Sequence, residues 1–215
     1  MNDIITAPAP VRLSIEGSNQ TFPVDRIFCI GRNYAEHAAE MGAAAEPIFF
    51  MKPGSAATQT EHLSYPPATT DLHHEVELVL ALGEDVKTPV ACGVGIDLTR
   101  RDLQAQMKDK RAPWEIAKAF DASAVIGLLR LGPPREDGQI RLSINGETRQ
   151  SGQLGDMILK PDALIASLAR YFDLRPGDLI FTGTPAGVGP LQVGDRVVGE
   201  IDGLPAVTFT IEETR

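Results

Sequence analysis

The chain has 215 residues, 43% of them apolar, and a formal net charge of -9, enough for one domain with a true core. Its 20 Lys and Arg residues form no run that could track a phosphate backbone, which argues against a nucleic-acid-binding protein. Cys29 and Cys92 lack any paired spacing, so neither a disulfide framework nor a thiolate zinc site is supported.

The N-terminal Met1-Asn2-Asp3-Ile4-Ile5 lacks a basic region followed by an apolar core. No stretch approaches the roughly 20 apolar residues of a membrane span, and a cytoplasmic protein is expected. With 20 Gly and 16 Pro the chain is rich in turns, as a strand-rich fold requires. Residues 1–25 are read as an N-terminal strand segment and residues 26–215 as a single domain.

Residues 11–15 and 26–30 read as strands of an N-terminal hairpin, separated by Gly17-Ser18-Asn19 and Pro23. A short helix over 34–41, closed by Gly42, follows the Gly31-Arg32-Asn33 turn. Strands are expected over 48–51 and 75–82; in the second, Val76, Leu78, Leu80 and Leu82 share a face, and Glu75 and Glu77 begin the other. Gly95-Ile96-Asp97-Leu98 reads as a strand end that yields to a helix over 99–110.

Asn145-Gly146, flanked by β-rich residues 140–144 and 148–150, is a strong hairpin signal. Pro161 starts an amphipathic helix carrying Leu164, Ile165, Leu168 and Phe172 to about residue 174. Residues 179–182, 196–201 and 206–211 are further strands. Strands and helices do not alternate regularly, so an α+β fold with a mixed β-roll is expected over a doubly wound sheet.

Chemistry concentrates at His73-His74-Glu75-Val76-Glu77, where acids at i and i+2 of a strand project two carboxylates to one side. Hard cations favour such oxygen pairs, although a solvated strand face fits the pentapeptide equally well. Asp97, set between Ile96 and Leu98, adds a third carboxylate that would be costly to bury unpaired. The alternative for Asp97 is the N-cap of the helix that follows. Three glycines at 183, 187 and 189 lack the Gly-Lys-Ser/Thr of a phosphate cradle and read as a substrate-contacting loop. Trp114 and Cys92 are assigned to packing.

Six blocks then occur in a telling order: Gly31-Arg32-Asn33-Tyr34-Ala35-Glu36-His37, Lys52-Pro53, His73-His74-Glu75-Val76-Glu77-Leu78, Asp97-Leu98-Thr99-Arg100-Arg101-Asp102-Leu103-Gln104, Lys118-Ala119-Phe120 and Thr182-Gly183-Thr184-Pro185-Ala186-Gly187-Val188-Gly189. In this the chain resembles the fumarylacetoacetate hydrolase superfamily, its short bacterial fumarylpyruvate hydrolase and acylpyruvase members above all. The resemblance implies a mixed β-sandwich roll of the family's C-terminal-domain type, assembled as a homodimer. It further implies that Glu75, Glu77 and Asp97 bind Mg2+ or Mn2+, with Ca2+ also compatible. Lys118 would be catalytic and face the substrate together with Gln104, while Arg32 and Thr184 line the pocket. His37 and Glu40 match the family's water-activating His-x-x-Glu dyad, and their i, i+3 spacing lets the carboxylate orient the imidazole.

The implied reaction is hydrolysis of a carbon-carbon bond in a small 2-oxo acid of the acylpyruvate type. Decarboxylation of an oxaloacetate-type acid and 2-oxo acid tautomerisation pass through the same enolate and are rivals on the same site. An inert protein that binds a 2-oxo acid through its metal is a third reading. One departure concerns the metal site: only residues 84–94 lie between Gly83 and Gly95, where the family usually carries a longer segment with a helix and a further strand. The position of Asp97 beside the two glutamates depends on that connection.

Overall fold

The computed structural model describes residues 4–40 and 47–214. Its architecture is α+β and dominated by strands, with four short α-helices among the described residues: α1 (Ala35–Glu40), α2 (Arg101–Lys110), α3 (Glu115–Lys118) and α4 (Pro161–Leu168). None of the described helices is long and apolar enough to cross a membrane.

A mixed sheet forms the centre, in the order Ile48–Pro53, Arg26–Gly31, Leu179–Phe181, Val76–Leu82, Pro89–Asp97, Ala124–Ile126, Ala57–Thr58, with Arg130–Leu131 also pairing with Pro89–Asp97. A five-stranded sheet that includes the Gln139–Ile144 and Glu147–Gln153 hairpin lies over one face. Asn145 and Gly146 turn that hairpin at φ 53° and 84°, as their sequence leads one to expect.

Val76–Leu82 is buried along its whole length. Val76, Leu78, Leu80 and Leu82 enter the core shared with the five-stranded sheet, as their alternation indicates. Val79 and Ala81 on the reverse face meet a second core that includes Leu13, Ile15 and Phe22 of the N-terminal segment. A solvated outer face for this strand is therefore excluded. Removing such apolar side chains from water stabilises the fold by about 1.5–3 kcal/mol for each large one.

Several expected boundaries move. The N-terminal hairpin joins Arg12–Ser14 to Thr21–Pro23, whereas Arg26–Gly31 pairs with Ile48–Pro53 and Leu179–Phe181. Phe22 points inward between exposed Thr21 and Pro23, and that single apolar residue is enough to seat the strand on the second core. Thr99 and Arg100 extend as a strand against His73 and Leu72, so α2 starts two residues later than its composition suggests. Asp97 is thus not its N-cap, a position held by Arg100. Helix α4 stops at Leu168, and Phe172 packs beyond it against Phe28 with ring centroids 4.9 Å apart. The expected end of α1 at Met41 and Gly42 lies outside the described residues.

The short connection after Gly83 proves to be a tight hairpin. Val76–Leu82 and Pro89–Asp97 pair antiparallel from Val76↔Ile96 to Leu82↔Pro89, and the Asp97 amide donates to the Glu75 carbonyl at 2.8 Å. Fewer residues between the strands leave this register intact, so Asp97 still arrives beside the glutamates.

Gly95 sits opposite Glu77 in that hairpin. A Cβ there would lie 2.5 Å from Val79 Cγ2 and 2.7 Å from Phe181 Cε1, both in fully buried side chains. Gly95→Ala is expected to destabilise the protein by about 1–3 kcal/mol through overpacking. Denaturant unfolding measures this, and an unchanged midpoint would mean that the sheet yields without strain.

Candidate active site

The hairpin brings Glu75, Glu77 and Asp97 together, with ligand oxygens all within 4.8 Å of one another and all three residues buried. Burying three carboxylates at this separation is prohibitive without positive charge, and three cations stand against them. Lys118 Nζ lies 2.7 Å from Glu75 Oε2 and 2.8 Å from Asp97 Oδ2. Lys52 Nζ lies 2.8 Å from Asp97 Oδ1, and Arg101 Nη2 is 2.6 Å from Glu75 Oε1. Lys52 and Lys118 are themselves almost wholly buried.

The compensation is uneven. Burial opposes ionisation of Glu75, but Lys118 and Arg101 outweigh it and hold the carboxyl well below its ordinary range. Glu77 goes the other way: burial first, then Asp97 and Glu75, push it well above that range. Its direct donor is the Gly183 amide, 2.6 Å from Oε2. Among the described residues no basic side chain forms an ion pair with Glu77, so the cluster is short of positive charge there. The donor set, all carboxylate oxygen with neither sulfur nor imidazole, is that of a hard divalent cation such as Mg2+ or Mn2+.

Beside this centre lies a pocket of about 40 Å3 lined by Arg32, His37, Gln104 and Lys118 among others, with Glu75 the one member of the triad in its wall. Gln104 is buried, and its Oε1 accepts from Arg101 Nη1 at 2.7 Å. Arg32 adopts φ 64°, an uncommon left-handed conformation for a non-glycine residue. Asn33 anchors that turn, its Nδ2 donating to the Thr182 and Leu159 carbonyls at 2.7 and 3.0 Å and its Oδ1 accepting from the Leu159 amide.

His37 and Glu40 sit one turn apart on α1. Nδ1 of buried His37 donates to Glu40 Oε2 at 3.2 Å, and the Glu40 carboxylate also accepts from the Gly187 amide at 3.1 and 3.2 Å. The short helix is thereby docked on the glycine-rich loop, with Ala35 and Glu36 left exposed. A Cβ on Gly187 would fall 2.2 Å from the Arg149 carbonyl, at φ 95°, so only glycine lets this loop run so close to the neighbouring strand. Thr184 is buried in the same loop but does not line the pocket shared by Arg32 and Gln104.

Five residues to which the sequence assigned no role in the site acquire a place in or behind it. Arg101 and Lys52 complete the charge cluster. Trp114, expected only to pack, is half-buried and lines the pocket with Lys108. Gln150 is fully buried: Oε1 accepts from His74 Nδ1 at 2.9 Å and the Val76 amide at 3.1 Å, while Nε2 donates to Thr184 Oγ1 at 2.8 Å and the Pro185 carbonyl at 2.9 Å. It ties the acidic strand to the glycine-rich loop. Burial draws His74 down to about 4, so the imidazole is neutral there and serves this network. Lys52 carried a signal, a base directly after the apolar run Ile48-Phe49-Phe50-Met51; Gln150, in a polar stretch of a hairpin strand, carried none.

Comparison with known proteins accords with this geometry. Residues 26–212 match the model of the fumarylacetoacetate (FAA) hydrolase C-terminal family. The chain belongs to that family. Fumarylpyruvate hydrolase from Pseudomonas aeruginosa, solved in complex with Mn2+ and pyruvate, superposes with a TM-score of 0.94 at 42% identity, covering 99% of this chain and 100% of that one. Oxaloacetate tautomerase YcgM of Escherichia coli is 42% identical over 87% of this chain and 93% of its own length. Fumarylpyruvate hydrolase of a Ralstonia species is 37% identical over 77% of this chain and 93% of its own.

Gln150→Leu keeps the volume but strips partners from His74, the Val76 amide, Thr184 and the Pro185 carbonyl. The expected loss of stability is on the order of 3 kcal/mol, read by denaturant unfolding; full stability would show that the network is dispensable to the fold.

Proposed function

We propose that the protein is a metal-dependent hydrolase that cleaves a carbon-carbon bond in a small 2-oxo acid of the acylpyruvate type. The observation that carries this reading is the pairing of two separate devices around one pocket: a buried carboxylate triad suited to a divalent cation, and a His37–Glu40 dyad suited to activating water. The Mn2+ and pyruvate found with the Pseudomonas relative support both the metal and the 2-oxo acid.

Mg2+ or Mn2+ held by Glu75, Glu77 and Asp97 would supply Lewis-acid polarisation of the substrate's 2-oxo group. Glu40 fixes the His37 tautomer with the proton on Nδ1, which leaves Nε2 free to accept a proton from water. Hydroxide then adds to the distal carbonyl, the bond between that carbon and the pyruvyl methylene breaks, and the electron pair passes to the pyruvate enolate. Lys118, positively charged because Asp97 and Glu75 outweigh its burial, stabilises the enolate oxygen. Protonation at carbon gives pyruvate, and the other product is a carboxylic acid. Arg32 and Gln104 orient the substrate from the pocket wall, while Thr184 acts behind it through its hydrogen bond from Gln150.

A second reading rests on the oxaloacetate tautomerase relatives. Moving a proton between carbon and oxygen of oxaloacetate needs the same polarised 2-oxo group and a base, without attack by water. A panel of fumarylpyruvate, acetylpyruvate and oxaloacetate separates the two: release of pyruvate with a second acid marks hydrolysis, and keto-enol interconversion with neither pyruvate nor carbon dioxide marks tautomerisation.

Chelation of the metal is expected to abolish turnover and added Mg2+ or Mn2+ to restore it; full activity of rigorously metal-free protein would refute the cation's role. His37→Ala should lower acylpyruvate hydrolysis by on the order of 10²–10⁴, the usual worth of a positioned base. Metal affinity, titrated directly, should hold steady in this variant, and a weakened affinity would place His37 among the ligands instead.

A further inference from the structure

Of the motif His73-His74-Glu75-Val76-Glu77, the two glutamates enter the triad and His74 enters the Gln150 network, which leaves His73 without a part. His73 sits on the strand Leu72–His74, opposite Thr99, and its half-buried ring lies between two charged groups. Nε2 is 2.9 Å from Asp71 Oδ1, and Nδ1 accepts from Arg101 Nε at 3.2 Å. Donor chemistry fixes the proton. A guanidinium has donors only, so Nδ1 must be bare, and the ring proton stands on Nε2, where Asp71 accepts it. This is the opposite tautomer to that of His37, whose Nδ1 donates to Glu40.

Arg101, in turn, is held at each of its nitrogens: Nε by His73, Nη1 by Gln104 Oε1 at 2.7 Å and Nη2 by Glu75 Oε1 at 2.6 Å. The guanidinium is planar, so a bond at Nε sets the direction of both Nη groups. Arg101, Glu75 and Gln104 all line the pocket beside the triad, and His73 does not. It can therefore hold the guanidinium plane while the two groups in the wall change partners. Asp71 supports this arrangement twice, since its carbonyl also accepts from the Arg101 amide at 2.8 Å. The Asp71 amide donates to Thr69 Oγ1 at 3.1 Å, and the Thr69 hydroxyl donates to Asp102 Oδ1 at 2.7 Å, which closes the circuit on the first turn of α2.

We propose that the Asp71–His73 pair is a clamp on the Arg101 guanidinium, keeping its remaining Nη hydrogens aimed at the carboxylate head of a 2-oxo acid when Glu75 turns to a cation. His73 is thereby a positioning residue that acts through Arg101. The assignment rests on the 2-oxo acid reading of the site. Without the clamp the guanidinium is free to turn about its Nε bond, and ordering it again on binding costs affinity for the anionic head.

Nitrogen NMR of the native protein reads the clamp directly. His73 should show the Nε2–H tautomer, and the Arg101 Nε–H should give a slowly exchanging signal that disappears in His73→Leu. Calorimetry with oxalate, which presents two oxygens as the pyruvate enolate does, reads the head site of Mn2+-loaded protein without turnover. His73→Leu should weaken oxalate binding by about 10-fold, the worth of a hydrogen bond to a charged group. His73→Asn sets Oδ1 where Nδ1 stood and should recover most of the affinity, whereas a role in folding the strand alone would make the two variants alike. An Nδ1–H tautomer, unchanged oxalate affinity in His73→Leu, or equal loss in both variants would overturn the assignment. Failure of the 2-oxo acid reading shows separately, as native Mn2+-loaded protein that takes up no oxalate, and the two NMR signals then decide the clamp by themselves.

Discussion

The structure depends on keeping three carboxylates buried and within 4.8 Å of one another. Without positive charge beside them, their mutual repulsion and desolvation would force them to take up protons or destabilise the surrounding sheet. Lys52, Lys118 and Arg101 reach them from three different parts of the chain, the strand Ile48–Pro53, α3 and α2. This explains why a basic side chain as costly to bury as Lys52 is retained in the core, where its ammonium also donates to Ser123 Oγ at 3.0 Å. The arrangement is stable only as a set, because removing one charge leaves its partner buried and unpaired.

The same constraint shapes the sheet. Glu77 and Asp97 sit on adjacent strands of one hairpin, and Glu75 sits immediately before the first of them. A tight turn between these strands is therefore sufficient to build the centre, and a helix or additional strand in the connection is structurally optional. The N-terminal ribbon complements this hairpin, because Leu13 and Phe22 cover the face of the sheet opposite the five-stranded layer and leave the strand carrying Glu77 dry on both sides. Dryness raises the electrostatic value of every charge inside.

Rigidity and access are divided between elements. The triad rests on the central sheet, whereas the His37–Glu40 pair rides on a helix of six residues tied to the glycine-rich loop by the Gly187 amide. Gln150 then links that loop back to the acidic strand through His74 and Val76. The carboxylate triad and the His37–Glu40 pair are held in register through this path, and a displacement of the loop would be felt at both.

The sequence by itself determined the elements whose signal is local. The alternation from Val76 to Leu82 reports a core face, Asn145-Gly146 fixes a hairpin because both residues accept positive φ, and the pair of glutamates flanking Val76 marks an oxygen-rich centre. Motif order reached the family and the candidate residues, since these are properties of spelling. Tertiary structure decided what depends on distant partners: that Thr99 and Arg100 extend against His73 and Leu72 instead of starting α2, that Asp97 faces Lys52 and Lys118 instead of capping a helix, and that Trp114 and Lys108 border the pocket. Gln150 lies 76 residues from His74 and 34 from Thr184 along the chain. No local pattern encodes that network, because hydrogen bonding and charge compensation are set by separation in space and the chain specifies them only once the sheets have packed.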